Sequence, residues 1–227
     1  MECAVELFGR RIVRTCDIPS ARAAVEEVYV GDTYGLRQRK SFPGTIVDIG
    51  ANIGAFSICA NHAAPMSRLV AIEAHPATYE CLCKNLFGLT TEIHNVALGD
   101  GSMVSCAYEP HGTGRSLFVN DSAGSVKSMG LKEMFDAFSI KGPDVLLKVD
   151  CEGGERVLLD NPQDAEIINS VASVVMELHL CCPAWPPFNH LPGEERWKEF
   201  FNACRHKKKE WRGSTIGNCA MIKLEGL

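Results

Sequence analysis

The fold is decided by one stretch of the sequence, residues 45–56, which reads TIVDIGANIGAF. Its first five residues form a short apolar, β-branched run interrupted by Asp48, as expected for a buried strand of a parallel sheet. Gly50 and Gly54 follow, and glycine allows a tight turn and a close approach of the backbone to a ligand. Phe56 then begins an apolar helical face. This order predicts a buried strand, a glycine-rich loop and a helix.

Asp48, at the tip of this strand, bears on the kind of ligand that the loop binds. A strand, a glycine loop and a helix also begin a dinucleotide site, where the pyrophosphate lies at the electropositive N-terminus of the helix. A carboxylate at the strand tip would repel that pyrophosphate. S-adenosylmethionine (SAM) has no phosphate and carries a sulfonium and an ammonium group. The sequence therefore favours SAM over NAD; the alternative is a loop that merely turns on its glycines.

A second acid follows the next predicted strand, residues 68–72. Glu73 lies 23 residues after Gly50, close to the separation of about 20 at which a βαβ unit places a carboxylate on a ribose diol. NAD and SAM both contain this ribose, so the spacing predicts that Glu73 binds adenosine without choosing between them. The alternative is a solvated or helix-capping glutamate.

Acidic residues recur where the predicted parallel strands end. In an open parallel sheet, ligands bind outside the carboxyl ends of the strands. We expect this edge to be electronegative and to attract a cation, although carboxylates also cap helices that follow strands. The side chains predicted at this edge are those of Asp48, Glu73, Asn95, Asp150 with Glu152, and Glu177 with His179.

His179 and Asp150 are the candidate catalytic residues at this edge. Methyl transfer requires mainly that the acceptor lies in line with the methyl group and that water is excluded. If the acceptor is a hydroxyl, a base can help to remove its proton. His179 is predicted first, because imidazole titrates near neutral pH, and Asp150 second. A structural histidine is the alternative, and the role of the neighbouring Lys148 is open.

Alternating strands and helices predict a mostly parallel sheet covered on both faces, with a terminal hairpin that adds an antiparallel strand. We predict strands at residues 45–49, 68–72, 92–96, 145–149 and 171–176, two short added strands at 104–108 and 116–119, and a hairpin at 208–212 and 218–224. Helices are predicted at residues 21–29, 55–63, 78–87, 131–138, 156–160 and 194–204, and a proline-rich loop at 183–192.

Bulk properties limit the class of protein. A chain of 227 residues can hold one α/β domain, and residues 1–44 are predicted to be a helix and loop of the same domain as residues 45–227. The net charge of −5 does not indicate a general nucleic-acid-binding surface. The basic run at residues 205–209 is predicted to be a solvent-exposed segment that leads into a strand. No apolar run is long enough to cross a bilayer, so we expect no membrane partner.

Cysteine usage predicts a cytoplasmic protein. The 11 cysteines are odd in number and contain no C-x-x-C pair. Several stand where core residues belong; Cys83, for example, shares a helical face with Leu82 and Leu86. We therefore expect reduced, small hydrophobic side chains and neither a disulfide framework nor a zinc site. The N-terminus lacks the pattern of a signal peptide, which is a basic segment followed by an apolar one.

Four blocks of the sequence together resemble the FkbM family of SAM-dependent methyltransferases. They are VDIGANIG at residues 47–54, IEAHP at 72–76, NVALGD at 95–100 and LKVDCEGGE at 147–155, and VMELH at 175–179 fits the strand that follows. The resemblance implies a class I, Rossmann-like methyltransferase fold: an α/β fold with a seven-stranded, mostly parallel sheet, an antiparallel last strand and helices on both faces. Cys151 and Gly154 depart from the family, which more often has Val and Ala there.

The resemblance also implies an activity and a set of binding roles. The activity is O-methylation, by SAM, of a hydroxyl on a small molecule or sugar. The glycine loop, Glu73 and the region of Ala97 would hold the methionine part, the ribose hydroxyls and the adenine of SAM. The cofactor-binding residues are accordingly Asp48, Gly50, Asn52, Gly54, Glu73 and Ala97.

The sequence leaves the acceptor open, because the resemblance is weak in the proline-rich loop and in the C-terminal third. Substrate choice is predicted there and in residues 20–43. No metal is predicted, since a hard-cation site needs several converging oxygens that a sequence cannot show. An NAD(P)-binding oxidoreductase and a SAM-binding interaction module without catalysis are the alternative functions. The sequence is compatible with a homo-oligomer.

Overall fold

A computed structural model of the chain describes residues 5–12, 18–108, 116–181, 191–213 and 219–226. The strands in these residues are β1 (Val5–Leu7), β2 (Arg10–Ile12), β3 (Thr45–Ile49), β4 (Arg68–Ile72), β5 (Thr91–His94), β6 (Ala97–Leu98), β7 (Met103–Tyr108), β8 (Ser116–Asn120), β9 (Val126–Met129), β10 (Val145–Val149), β11 (Ser173–His179), β12 (Lys208–Gly213) and β13 (Cys219–Glu225). The α-helices are α1 (Ile18–Val25), α2 (Ala55–Ala63), α3 (Pro76–Leu86), α4 (Leu131–Ala137), α5 (Pro162–Ile168) and α6 (Glu194–Ala203). A π-helical turn spans Glu26–Val30, and a 3₁₀ helix spans Gly154–Leu159.

The main sheet has seven strands in the order β12-β13-β11-β10-β3-β4-β5. The five strands from β11 to β5 are parallel. β13, the last strand along the chain, is antiparallel to both of its neighbours, β11 and β12. The predicted class I methyltransferase-like α/β fold, with a mostly parallel sheet and a reversed last strand, is confirmed.

The two faces of the main sheet pack into separate apolar cores. On β3, Val47 and Ile49 face one core, while Ile46 faces the other together with Phe56 of α2. Successive side chains of a strand point to opposite faces. Asp48 therefore lies on the same face as Ile46, in the layer between the sheet and α2.

Local signals place the helices near the site where they were predicted. α2 spans the predicted residues 55–63 and follows Gly54, its N-cap. α3 begins at Pro76, which has no N–H to leave unsatisfied in a first helical turn. The ring of His75 caps this helix, because its Nδ1 accepts a hydrogen bond from the backbone N–H of Thr78 at 3.3 Å. Both helices thus start a few residues after the carboxyl end of a parallel strand, α2 after β3 and α3 after β4.

Several elements differ from the prediction. β11 continues through residues 177–179 instead of ending at Met176. β9 was not predicted, and it joins the added strands in a four-stranded sheet of order β6-β9-β7-β8. Its four residues are too few to give a clear alternating pattern. Residues 156–160, predicted as a helix, belong to the 3₁₀ helix, and α5 follows it unpredicted, with Asn161 as its N-cap.

Two further observations concern the cysteines and the helices. Seven cysteines among the described residues are free thiols: Cys59, Cys81, Cys83, Cys151, Cys181, Cys204 and Cys219. No helix in the described ranges combines the length and apolar character that a membrane span needs. The predicted proline-rich loop lies outside the described residues, except for Leu191 and Pro192.

Candidate functional site

A cleft opens at the carboxyl edge of the main sheet, where the chain leaves β3, β4 and β10. This is the edge at which open parallel sheets bind ligands. The described lining contains three carboxylates and neither lysine nor arginine. Its residues are Ile49, Gly50, Asn52, Ile72, Glu73, Ala74, Thr78, Val96, Leu98, Asp150, Cys151 and Glu152.

Gly50 and Gly54 occupy backbone conformations that favour glycine. At Gly50 φ is 73°, and a Cβ there would overlap the carbonyl oxygen of Asp150. At Gly54 φ is 93°, and a Cβ would lie 3.0 Å from the Leu82 side chain of α3. Gly50 thus allows the ends of β3 and β10 to approach each other beside the cleft. Gly54 does not line the cleft but fixes the start of α2.

Glu73 joins the glycine loop to the end of β4. Its Oε2 accepts a hydrogen bond from the backbone N–H of Asn52, and its Oε1 accepts one from the backbone N–H of His75, both at 2.8 Å. Burial raises the pKa of Glu73 to about 7, although the two N–H groups and the Lys148 ammonium oppose this rise. Each carboxylate oxygen can accept a further hydrogen bond from a ligand in the cleft.

Asp48 lies beneath the glycine loop and does not line the cleft. Its fully buried carboxylate accepts a hydrogen bond from Ser57 Oγ at 2.6 Å and is paired with Lys148 Nζ at 3.1 Å. The sequence predicts that this carboxylate faces the ligand. Strand alternation turns it toward α2 instead, and the register of β10 on β3 sets Lys148 opposite it. The structure corrects this prediction: Asp48 supports the loop from below and does not face the ligand.

Lys148 extends this buried pair to the backbone of the loop. Its Nζ donates to the carbonyl oxygens of Gly50 at 2.7 Å and Ile49 at 3.3 Å. It also lies 3.7 Å from Asp150 Oδ2. Burial lowers the pKa of Lys148, but the charges of Asp48 and Asp150 outweigh burial and raise it above its ordinary value. A permanently charged ammonium thus holds two consecutive carbonyls beside the cleft.

Asp150 lines the cleft and connects it to the N-terminal segment. Its Oδ2 accepts a hydrogen bond from the Tyr34 hydroxyl at 2.8 Å. Burial and the charge of Asp150 raise the pKa of Tyr34 well above its ordinary value, so this hydroxyl remains a donor. Ala97 is buried and does not line the cleft, but Val96 and Leu98 on either side of it do.

His179 is held between two carboxylates, and its ring does not line the cleft. Nε2 lies 3.0 Å from Glu152 Oε2, and Nδ1 lies 3.0 Å from Glu155 Oε1. Burial lowers the pKa of His179, but Glu155, Cys219 and Glu152 outweigh burial and raise it well above its ordinary value. A protonated imidazole cannot accept a further proton, so this geometry disfavours His179 as the general base. Its catalytic role stays a prediction.

Two groups at this edge contain atoms of the types that bind metals. Asp150, Glu152 and His179 place one such atom each within 4.8 Å of one another, and so do Glu177, His179 and Cys219. His179 belongs to both groups, and its nitrogens are engaged by Glu152 and Glu155. The protein itself thus supplies a positive charge to this acidic cluster, and the lack of a metal requirement stays a prediction.

Three residues of the site had no assigned role in the sequence analysis. Lys148 stands opposite Asp48 only once the strand register is known, and Tyr34 reaches Asp150 across a separation of 116 residues. Glu155 is different, because it lies inside the LKVDCEGGE block and is fully buried. A glutamate in a block that packs against a sheet is a signal for a buried partner, which here is His179.

The chain is similar to methyltransferases in sequence and in fold. The model of the methyltransferase FkbM domain matches residues 48–181. The chain is 28% identical over 198 residues to Methyltransferase 1 of Beauveria bassiana (strain ARSEF 2860), which covers 70% of this chain and 76% of that protein. It is also 28% identical over 210 residues to methyltransferase sdnD of Sordaria araneosa, which covers 76% of this chain and 78% of that protein.

A solved structure shares the fold over nearly the whole chain. The N-terminal domain of EvdMO1, determined in the presence of SAH and D-fucose, superposes with a TM-score of 0.53. The match covers 99% of this chain and 90% of that one at 10% sequence identity. Likeness at this level of identity concerns the arrangement of strands and helices, and it agrees with the sheet order described above.

Proposed function

The chain belongs to the FkbM methyltransferase family, and from this premise we propose that it transfers the methyl group of SAM to a hydroxyl of a small molecule or glycan. The observation that carries the proposal is the cleft at the sheet edge, whose described lining has three carboxylates and neither lysine nor arginine. A cofactor with a sulfonium and an ammonium group suits such a lining, whereas the pyrophosphate of a dinucleotide does not.

The residues around the cleft match the parts of this cofactor. Glu73 offers free lone pairs on both carboxylate oxygens to the two ribose hydroxyls. Val96 and Leu98 offer apolar surface to the adenine. Gly50 and Asn52, in the loop held by Lys148 and Glu73, would contact the methionine part.

The reaction asks for positioning more than for covalent participation by the protein. Bound SAM supplies a methyl group that its sulfonium already activates. Asp150 and Glu152 line the cleft and favour a positive charge beside them. Tyr34 brings the N-terminal segment to Asp150, where it can form one wall for the acceptor and help to exclude water. An acceptor oxygen held in line, about 3 Å from the methyl group, completes the arrangement.

Methyl transfer itself can be tested with labelled SAM and a panel of hydroxyl acceptors. The panel should include D-fucose, D-glucose and dihydroxybenzene, because the likeness to the FkbM family implies sugar or natural-product hydroxyls. We expect label in a methyl ether of at least one acceptor. Binding of SAM with transfer to none of them would favour the alternative function, a SAM-binding interaction module without catalysis.

The first prediction concerns the choice of cofactor. Calorimetry should show that SAM binds at least about tenfold more tightly than NAD, a difference of roughly 1.4 kcal/mol. The reason is that a pyrophosphate would meet the carboxylates of Glu73, Asp150 and Glu152 without a lysine or arginine in the described lining. Tighter binding of NAD than of SAM would contradict the proposed function.

A second prediction concerns Glu73. Replacing Glu73 with alanine should weaken SAM binding by about 1.5–3 kcal/mol, or roughly 10- to 150-fold in Kd, because two hydroxyls lose a charged acceptor. Since the pKa of Glu73 is about 7, SAM affinity of the unaltered protein should also fall as the carboxylate is protonated below that pH. The exposed Glu80 of α3 provides the control, Glu80→Ala. A change of less than twofold in Glu73→Ala would show that Glu73 only organises the loop.

A further inference from the structure

Glu177 lies beside Asp150 at the carboxyl edge of the sheet, on the next strand. Val149 of β10 pairs with Met176 of β11, so the following residues, Asp150 and Glu177, are neighbours. Asp150 directly follows β10, and in the direction of β11 no further strand end lines the described part of the cleft. An acceptor that approaches the methyl group from beyond Asp150 therefore meets Glu177.

The carboxylates around Glu177 are already engaged by other side chains. Asp150 accepts a hydrogen bond from the Tyr34 hydroxyl at 2.8 Å. Glu152 is paired with His179 at 3.0 Å. Among the described residues, no side-chain hydrogen bond or ion pair involves Glu177, and the residue is partly exposed. Of the three neighbouring carboxylates, it is therefore the one that is open to a substrate.

On the premise of the proposed function, we propose that Glu177 is the general base that takes the proton from the acceptor hydroxyl during methyl transfer. As the O–H bond breaks, the proton moves to the Glu177 carboxylate. The new O–CH₃ bond forms while the S–CH₃ bond breaks, and the sulfur keeps the bonding electrons as a neutral thioether. Substrates and products balance: the cationic sulfonium and the carboxylate become a neutral thioether and a neutral carboxyl group.

The surroundings of Glu177 give it a basicity suited to this task. Burial and the charge of Asp150 raise its pKa to about 8; His179 opposes the rise, and Glu27 and Glu152 add to it. A base with a pKa near the working pH combines a useful ionised fraction with a strong pull on the proton. Asp150 is less accessible to a substrate proton, because it is already bonded to the Tyr34 hydroxyl and lies 3.7 Å from Lys148 Nζ.

The test is Glu177→Gln, which keeps size and shape but cannot take up the proton. With labelled SAM and the best acceptor of the panel of D-fucose, D-glucose and dihydroxybenzene, turnover should fall by about 10²-fold. The Kd for SAM should change by less than about threefold, because Glu177 does not line the cleft. Activity of the unaltered protein should rise with pH, be half-maximal near pH 8 and level off above that pH, and this rise should be absent in Glu177→Gln. Glu166→Gln, at an exposed glutamate of α5, is the matched control and should leave turnover and its pH profile unchanged.

A thermal unfolding measurement separates catalysis from a structural role. A buried carboxyl whose pKa is raised on folding destabilises the folded state as pH rises through that pKa. Glu177→Gln should therefore be at least as stable as the unaltered protein above pH 8. Loss of turnover together with loss of stability, or full turnover with an unchanged pH profile, would overturn the role of Glu177 alone. Absence of methyl transfer by the unaltered protein to any panel acceptor would instead overturn the proposed function.

Discussion

Replacing Lys148 with methionine is expected to lower the free energy of unfolding by about 3–5 kcal/mol, the usual cost of removing one partner of a buried ion pair. Lys148 is only 3% exposed, and its partner Asp48 is 0% exposed. Methionine has a similar length but no positive charge, so the Asp48 carboxylate would stay buried with only Ser57 as a hydrogen-bond donor. Denaturant unfolding measures the loss, and Lys84→Met, at an exposed lysine of α3, is the control.

The same variant should weaken SAM binding, and a double variant separates the two effects. In Lys148→Met/Asp48→Asn the buried charge is gone, so part of the lost stability should return. The carbonyl oxygens of Gly50 and Ile49 still lack their donor, so SAM affinity should not recover with it. Recovery of both properties together would mean that Lys148 only neutralises Asp48 and does not position the loop.

The parts of the site that the sequence predicted well are those set by neighbouring residues. β3, α2 and β10 have the predicted bounds, because apolar runs and glycines mark the ends of short buried elements. Glu73 lines the cleft as expected, since its position depends on the spacing within a single βαβ unit. Its bonds to Asn52 and His75 are local for the same reason.

The features that the sequence did not predict depend on partners that lie far away in the sequence. The strand that ends near Asp48 could be predicted, but the side-chain direction depends on alternation, and its partner Lys148 comes from a strand 100 residues later. In the same way, a histidine near a strand end resembles a base until Glu152 and Glu155 are seen on either side of it. Sequence patterns show which residues reach the edge, whereas register and packing decide which of them remain available to a ligand.

His179→Ala is expected to destabilise the fold by about 3–5 kcal/mol near neutral pH, because it removes the cation between Glu152 and Glu155. Glu155 is fully buried and also accepts a hydrogen bond from the backbone N–H of His179 at 2.6 Å. The loss should be measured by denaturant unfolding. The double variant His179→Ala/Glu155→Gln should regain part of it, since the buried negative charge disappears together with its counter-ion.

The pH dependence of this loss distinguishes a charged histidine from a neutral one, and His206 offers the comparison within the same chain. Since folding raises the pKa of His179 above its ordinary value of 6.5, the stabilisation by His179 is complete below pH 6.5 and is lost as pH rises through the raised pKa. His206 is also buried, but burial lowers its pKa, and its Nε2 lies 3.0 Å from the Val171 carbonyl oxygen. The contribution of His206 to stability should be smaller, about 1 kcal/mol for the hydrogen bond plus the packing lost. Because its pKa is lowered, this contribution should be lost as pH falls. The stability difference caused by His179→Ala should therefore shrink toward alkaline pH, while the difference caused by His206→Ala should not.

The methylation rate of folded His179→Ala protein provides the second measurement. The loss of a general base typically lowers the rate by about 10²–10⁴-fold, so a rate within about tenfold of that of the unaltered protein would agree with a structural histidine. A larger loss of rate without loss of stability would instead show that His179 takes part in the reaction.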